Sequence, residues 1–158
     1  MRSRSGVVAV VVGCALVAVG VWWVGGGFGG DAENATVTVS DANGTTLGVV
    51  SARVADTPQE RYRGLSNTAS LENGSGMWFV FEEEASRAFV MRDVNYPLDI
   101  VFVGADGRIT VIHHAATEEP PYEKYRGRAK WVLEVPRGWA SARGVDAGDR
   151  VTAIYGPR

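Results

Sequence analysis

Beyond residue 34 the chain consists of short segments in which apolar residues either alternate with polar ones or follow one another without interruption. Alternation is typical of a strand with one buried face, whereas an uninterrupted apolar run between turn residues is typical of a strand buried on both faces. Residues 35–39 show the first pattern, and residues 77–81 and 98–103 show the second. The patterns predict about eight strands, at residues 35–39, 47–55, 77–81, 89–91, 98–103, 108–114, 131–135 and 151–155.

Two short helices are predicted between these strands. Thr57-Pro58-Gln59-Glu60 is a capping box with proline at the first helical position, so a helix begins there and ends near Gly64. Residues 136–143 form the second, stopped by Gly144. Residues 82–84 are predicted as a solvated turn and residues 118–128 as a loop. The expected fold class is therefore α+β: a mostly antiparallel, curled or barrel-like sheet with two short helices, preceded by an N-terminal transmembrane helix.

That transmembrane helix is predicted from residues 7–24, which contain no charged residue. As a helix these residues span roughly 27 Å, close to the thickness of the hydrocarbon core of a bilayer. Arg2 and Arg4 precede the segment, and arginines of this kind stay on the cytoplasmic side. We therefore expect a single-pass protein of the cell membrane, bound to the membrane through residues 7–24, with its C-terminal domain outside the cell.

Two alternatives remain open for this segment. Residues 27–29 (Gly-Phe-Gly) offer a small-x-small site for cleavage of a signal peptide, after which the protein would be secreted. Cys14 follows a lipobox-like Val11-Val12-Gly13, which would suit a lipoprotein. The expected organisation is a membrane anchor or signal segment at residues 1–24, a glycine-rich linker at 25–34 and a β-rich outer domain at 35–158.

The cysteine count and the charge balance exclude several classes of function. The 158 residues include one Cys, which excludes an internal disulfide and an all-thiolate metal cluster within the chain. Beyond Arg2 and Arg4 there are 14 basic and 18 acidic residues, so no nucleic-acid partner is expected. No cofactor and no metal site is predicted. Asn34, Asn43 and Asn73 each begin an Asn-x-Ser/Thr sequon, so they are candidate glycosylation sites if the domain lies outside the cell.

Charged residues beside the buried strands are the candidates for chemistry. Met91, Arg92 and Asp93 precede a turn, and Asp99 lies within the apolar run that follows it. A buried carboxylate needs a partner, because an unpaired buried charge is costly. Glu134, in the middle of residues 131–135, raises the same question. These five residues form the candidate ligand-binding site, in which Arg92 would bind an anion and Asp93 or Asp99 would accept a proton. In the alternative interpretation, Arg92 and a carboxylate form an ion pair that fixes the turn, and Glu134 faces water.

No catalytic signature accompanies these residues. The sequence contains no G-x-S-x-G, no P-loop and no G-x-G-x-x-G in a strand–turn–helix setting, and Cys14 lies in the apolar N-terminal segment. The leading hypothesis is a membrane-anchored module outside the cell that binds a small molecule or a protein. One alternative is a cell-surface hydrolase using Asp93, Asp99 or Glu134 as acid and base. Another is a structural partner in a membrane complex.

Five ordered blocks resemble a known family. They are VADTPQERYRGL (residues 54–65), GMWFVF (76–81), FVMRD with PLDI (89–93 and 97–100), WVLEVP (131–136) and GVDAGDRV (144–151). In this order the blocks resemble the family called domain of unknown function 192, over about residues 48–155. The resemblance implies a compact β-rich domain, often exported in bacteria and archaea, without an established activity. Typical members have Trp, Met, Lys and Asn where this chain has Val90, Met91, Arg92 and Asp93.

Overall fold

A computed structural model describes residues 33–156. Seven strands form a single sheet, and one short α-helix accompanies it in these residues. The elements are β1 (Asn34–Ser40), β2 (Thr46–Ala55), α1 (Pro58–Arg63), β3 (Ser75–Phe89), β4 (Leu98–Val103), β5 (Ile109–Ala115), β6 (Tyr125–Pro136) and β7 (Arg150–Tyr155).

The strands lie in the order β5-β4-β6-β3-β2-β1-β7. Strands β2 and β3 pair in parallel, and every other neighbouring pair in this order is antiparallel. The connection between β2 and β3 explains why this pair is parallel. After β2 the chain forms α1 and a loop, and β3 then begins at the end of the sheet where β2 begins. A crossover of this kind is what parallel neighbours require.

The two edge strands of the sheet meet at one end. Arg108, just before β5, forms an antiparallel bridge with Arg150 at the start of β7. The Ile109 N–H donates to the Asp149 carbonyl at 2.9 Å, and the Val151 N–H donates to the Gly107 carbonyl at 2.7 Å. These bonds satisfy backbone groups that an open edge would leave unpaired.

The sheet is covered by apolar side chains on both of its faces. Alternate residues of a strand point to opposite faces, and the buried residues divide accordingly. One cluster contains Trp78, Val101 and Leu133, and we refer to its side as the first face. The other contains Phe79 and Val132, and we refer to its side as the second face. A sheet buried on both sides explains why residues 77–81 and 98–103 have no polar alternation.

The second face is covered by the connections on either side of β3. Leu65, from the loop after α1, and Met91 and Val94, from the loop before β4, are buried in its cluster. The two loops are bound to each other, since the Ser66 hydroxyl donates to the Arg92 carbonyl at 2.8 Å. This cover is thin, because α1 itself has no buried residue.

The predicted α+β class is wrong. Strands account for 52% and helices for 7% of the described residues, so the domain is mostly β. Helix α1 forms as predicted: the Thr57 hydroxyl accepts from the Glu60 N–H at 3.2 Å, and the Glu60 carboxylate accepts from the Thr57 N–H at 3.1 Å. The second predicted helix, residues 136–143, does not form. Gly138 has a φ of 86°, which no right-handed helix accommodates, and a single 3-10 turn at Ser141–Arg143 follows it.

The predicted count of eight strands is also wrong for the described residues. Residues 82–84 do not form a turn between strands; they lie inside β3, where the register against β6 shifts between Val80 and Ala85. The Glu84 carboxylate accepts from the Ala105 N–H at 2.8 Å and from Arg128 at 3.0 Å, which holds the irregular segment in the sheet. The bulge joins two predicted strands into one of 15 residues.

The predicted transmembrane helix at residues 7–24 and most of the glycine-rich linker lie outside the described residues. Within residues 33–156, no helix has the length and apolar character needed to span a membrane.

Candidate functional site

A pocket of about 310 Å³ opens on the second face, between the loop cover and strands β3 and β6. Its wall is largely apolar: the side chains of Leu65, Phe79, Phe81, Phe89 and Val94 contribute to it. Phe79 and Phe89 meet edge to face, with ring centroids 4.9 Å apart. A concave, mostly apolar pocket of this size with a few polar groups is typical of a small-molecule site.

Glu134 is the polar group in the wall of this pocket that lies deepest in the sheet. It occupies the central strand β6 and pairs with Met77 on β3 and with Ile100 on β4. Only 5% of the residue is exposed, and its carboxyl group makes no hydrogen bond or ion pair within residues 33–156. Burial raises the pKa of Glu134 from 4.5 to about 8, because the apolar surroundings penalise the charged form. The carboxyl group is therefore mainly protonated at neutral pH.

A second polar group without a partner lies in the same neighbourhood. The hydroxyl oxygen of Tyr96 is buried and has no hydrogen-bond partner among the described residues. Burial raises the pKa of Tyr96, and the nearby Glu134 raises it further. Tyr96 is not part of the pocket lining, so Glu134 is the group in the pocket wall that a polar ligand atom could satisfy.

Three arginines contribute to the lining of the pocket: Arg61, Arg63 and Arg92. Arg61 donates to the Val80 carbonyl at 2.9 Å. Arg92 donates to the Tyr62 carbonyl at 2.6 Å and lies 4.2 Å from the centre of the Tyr62 ring. Arg63 is exposed, and its guanidinium group has no hydrogen-bond or ion-pair partner within residues 33–156.

The structure brings together two of the five predicted site residues. Arg92 and Glu134 both line the pocket. Met91 is 1% exposed and belongs to the hydrophobic cluster of the cover, so its part is to hold the loop in place. Asp93 is exposed and has a φ of 56°, a left-handed conformation that Asn and Asp adopt more readily than most residues. Its carbonyl accepts from the Asn67 N–H at 2.9 Å, so its backbone also fixes the cover.

Asp99 lies on the opposite, first face of the sheet. It is completely buried, and its Oδ1 lies 2.6 Å from Nδ1 of the cross-strand neighbour His114. Its Oδ2 accepts from the Ala140 N–H at 3.0 Å. The buried carboxylate thus has the partners that such a group requires, and it fixes the turn after β6 to β4. The sheet separates it from the pocket.

Several residues of the pocket were not singled out from the sequence. Arg61 and Arg63 belong to a short polar helix, and the pattern around Phe79, Phe81 and Phe89 predicts strands without indicating a pocket. One feature of the sequence could have indicated the pocket. The apolar run at residues 77–81 predicts a strand buried on both faces, and such a strand needs other segments to cover each face. The capped helix α1 precedes this strand and is the nearest segment that could help to cover it. The candidate glycosylation residues Asn34, Asn43 and Asn73 are all exposed, and their modification stays a prediction.

The raised pKa of Glu134 predicts how stability depends on pH. Between about pH 4.5 and 8 the unfolded chain loses the Glu134 proton while the folded chain keeps it. Folding therefore becomes less favourable as the pH rises through this window, and the effect levels off above it. Glu134→Gln removes this titration. From pH 4 to pH 8, the free energy of unfolding of the variant should therefore rise relative to that of the wild type by on the order of a few kcal/mol.

Urea denaturation of the full-length chain, followed by tryptophan fluorescence at several pH values, measures this difference. Glu119→Gln is the matched control, since Glu119 is exposed and its variant should follow the wild type at every pH. A difference between the wild type and Glu134→Gln that stays constant from pH 4 to 8 would contradict the burial of an unpaired carboxyl group.

Comparisons with known proteins agree with the sequence blocks. A crystal structure of a proposed transcription regulator from Sinorhizobium meliloti 1021 is similar, with 29% identity and a TM-score of 0.69, covering 77% of this chain and 94% of the other. A structure of a protein of unknown function from Novosphingobium aromaticivorans DSM 12444 has 32% identity and a TM-score of 0.67, covering 74% and 83%. No curated protein matches. The family model for domain of unknown function 192, described as an uncharacterized ACR, matches residues 38–153. The chain belongs to this family.

Proposed function

We propose that this protein is a small-molecule-binding module outside the cell, attached to the membrane through residues 7–24, and that the pocket on the second face is its binding site. The observation that carries the proposal is the Glu134 carboxyl group, which is 95% buried in the pocket wall and has no partner within the described residues. A ligand atom that hydrogen-bonds to Glu134 supplies the partner that no described residue provides.

Hydrolysis is a second candidate function, favoured by one observation. Glu134, protonated at neutral pH, has the property that a general acid needs. A hydrolase of the predicted type also needs a second carboxylate as base or nucleophile. Among the described residues, Asp99 lies on the other face of the sheet, and Asp93 is exposed and does not line the pocket. The arrangement therefore supports binding better than carboxylate-pair catalysis.

The relative described as a transcription regulator suggests DNA as a partner, but the charge of this chain does not support that function. Beyond Arg2 and Arg4 the chain has 14 basic and 18 acidic residues. Because DNA binding depends on neutralising phosphates with a basic surface, an acidic domain of this kind is better suited to a small-molecule ligand.

Native mass spectrometry tests the binding proposal. We expect the full-length chain, purified gently from its native host in mild detergent, to carry a reproducible extra mass of a small organic molecule. In Glu134→Leu the ligand loses its hydrogen-bonding partner in an otherwise apolar wall, so the extra mass should fall at least tenfold in occupancy. Asp93→Asn, an exposed change outside the pocket lining, is the control and should keep it. A bare polypeptide mass for the wild type, or an adduct that Glu134→Leu retains, would contradict the proposal.

Fusion to alkaline phosphatase, which is active only outside the cytoplasm, tests the location. A fusion after Gly30 should be active, because Arg2 and Arg4 hold the N-terminus in the cytoplasm. A fusion after Gly6, before the apolar segment, should be inactive and serves as the control. An inactive fusion after Gly30 would overturn the location and leave the pocket unaffected.

A further inference from the structure

The charge of the pocket lining points to the class of ligand. Among residues 33–156, the lining contains three arginines, one glutamate and one tyrosine, Tyr62, as its ionisable residues. The glutamate is Glu134, whose carboxyl group is mainly neutral at pH 7. The lining thus carries positive charge and no resident anion to balance it.

The three arginines differ in the contacts that their guanidinium groups make within the protein. Arg61 and Arg92 donate to backbone carbonyls, and Arg92 also stacks on an aromatic ring. A carbonyl is neutral, so these bonds orient the guanidinium groups without cancelling their charge. The backbone carbonyl of Arg63 accepts from the Ser66 N–H at 3.0 Å, whereas its guanidinium group makes no hydrogen bond or ion pair within the described residues. It is the arginine best placed to bind an anion at the mouth of the pocket by a bidentate contact.

The apolar wall of the pocket determines the size and character of the uncharged part of the ligand. Leu65, Phe79 and Phe89 contribute side chains to a space of about 310 Å³, at the lower end of the range for small-molecule sites. Gly64, next to this wall, has a φ of 51°, a left-handed conformation that glycine adopts without strain. A single ring or a short branched chain matches this space better than a polar sugar or a peptide.

We infer that the pocket binds small organic carboxylates whose apolar, preferably aromatic, body carries one polar atom that hydrogen-bonds to Glu134. The carboxylate lies at Arg63, with Arg92 beside it, and the apolar body lies against Leu65, Phe79 and Phe89. One fully available guanidinium matches a monoanion. The inference rests on the proposed binding function and adds the chemical class of the ligand.

Glu134 gives this class a distinctive pH dependence. Arg61 and Arg63 on α1, Arg92 in the cover and Arg53 on β2 keep their charge at neutral and mildly basic pH. The Tyr96 hydroxyl, whose pKa is raised, stays neutral there. Glu134 ionises near pH 8 and places a negative charge in the pocket. The affinity for an anion should fall as the pH rises through this value, whereas the affinity for a cation should rise.

Isothermal titration calorimetry on the full-length chain tests the inference with three probes of equal length: 3-(4-hydroxyphenyl)propionate, 3-(4-hydroxyphenyl)propanol and 3-(4-hydroxyphenyl)propylamine. We expect the carboxylate to bind at least tenfold more tightly than the alcohol or the amine at pH 7. Arg63→Ala should weaken the carboxylate at least tenfold and leave the alcohol unchanged. Arg126→Ala removes an exposed arginine outside the pocket lining and should have no effect.

Glu134→Gln completes the design. Because an amide does not ionise, this variant should abolish the weakening of carboxylate binding between pH 7 and pH 9. Tighter binding of the alcohol or the amine, an Arg63→Ala variant that binds like the wild type, or no binding of any probe would overturn the ligand class. In each case an extra mass lost in Glu134→Leu would still support the binding function, so the two failures are distinguishable.

Discussion

The burial of one carboxyl group on the central strand of the sheet is the constraint around which the rest of the site is arranged. Glu134 lies between β3 and β4, where its neighbours across the strands are Met77 and Ile100. A charge at that position would need a partner, and none is present among the described residues. The group instead remains protonated to about pH 8, which costs folding stability at neutral pH. Stability given up at one position in this way is commonly associated with function.

The cover of the second face depends on the same position. If the cover were packed tightly over Glu134, the carboxyl group would lose its access to a ligand; if the cover were absent, water would solvate the group and its pKa would be ordinary. The connections around β3 provide an intermediate arrangement. Leu65 and Met91 anchor the two loops in the cluster, while Arg92 binds the end of α1 through the Tyr62 carbonyl. The pocket is the space that these anchors leave over the carboxyl group.

Part of this arrangement could be predicted from the sequence, and the reasons for the limits are physical. The capping box at Thr57 and Glu60 acts within four residues, so α1 was predicted correctly, and Arg92 and Glu134 were both chosen as site residues. The helix predicted after Pro136 failed because Gly138 adopts a positive φ and Asp99, 41 residues from Ala140, takes the Ala140 N–H. Residues 82–84 join two predicted strands into β3 because Glu84 accepts hydrogen bonds from Ala105 and Arg128. Both partners are remote in sequence, so this join could not be predicted from the local pattern. The face on which each carboxylate lies could be derived only once the strand register was known. The register places Asp99 on the first face and Glu134 on the second.

The most direct test of the account is the titration of the Glu134 carboxyl group itself. Carbon-detected NMR on the full-length chain with ¹³C-labelled glutamate gives the pKa of each carboxyl carbon, and Glu134→Gln identifies the resonance. We expect a carboxyl group that remains protonated at pH 7 and titrates near pH 8. A Glu134 resonance that titrates near 4.5, as in an exposed glutamate, would mean that the group is solvated or paired, and both the pocket and its proposed ligand would lose their basis.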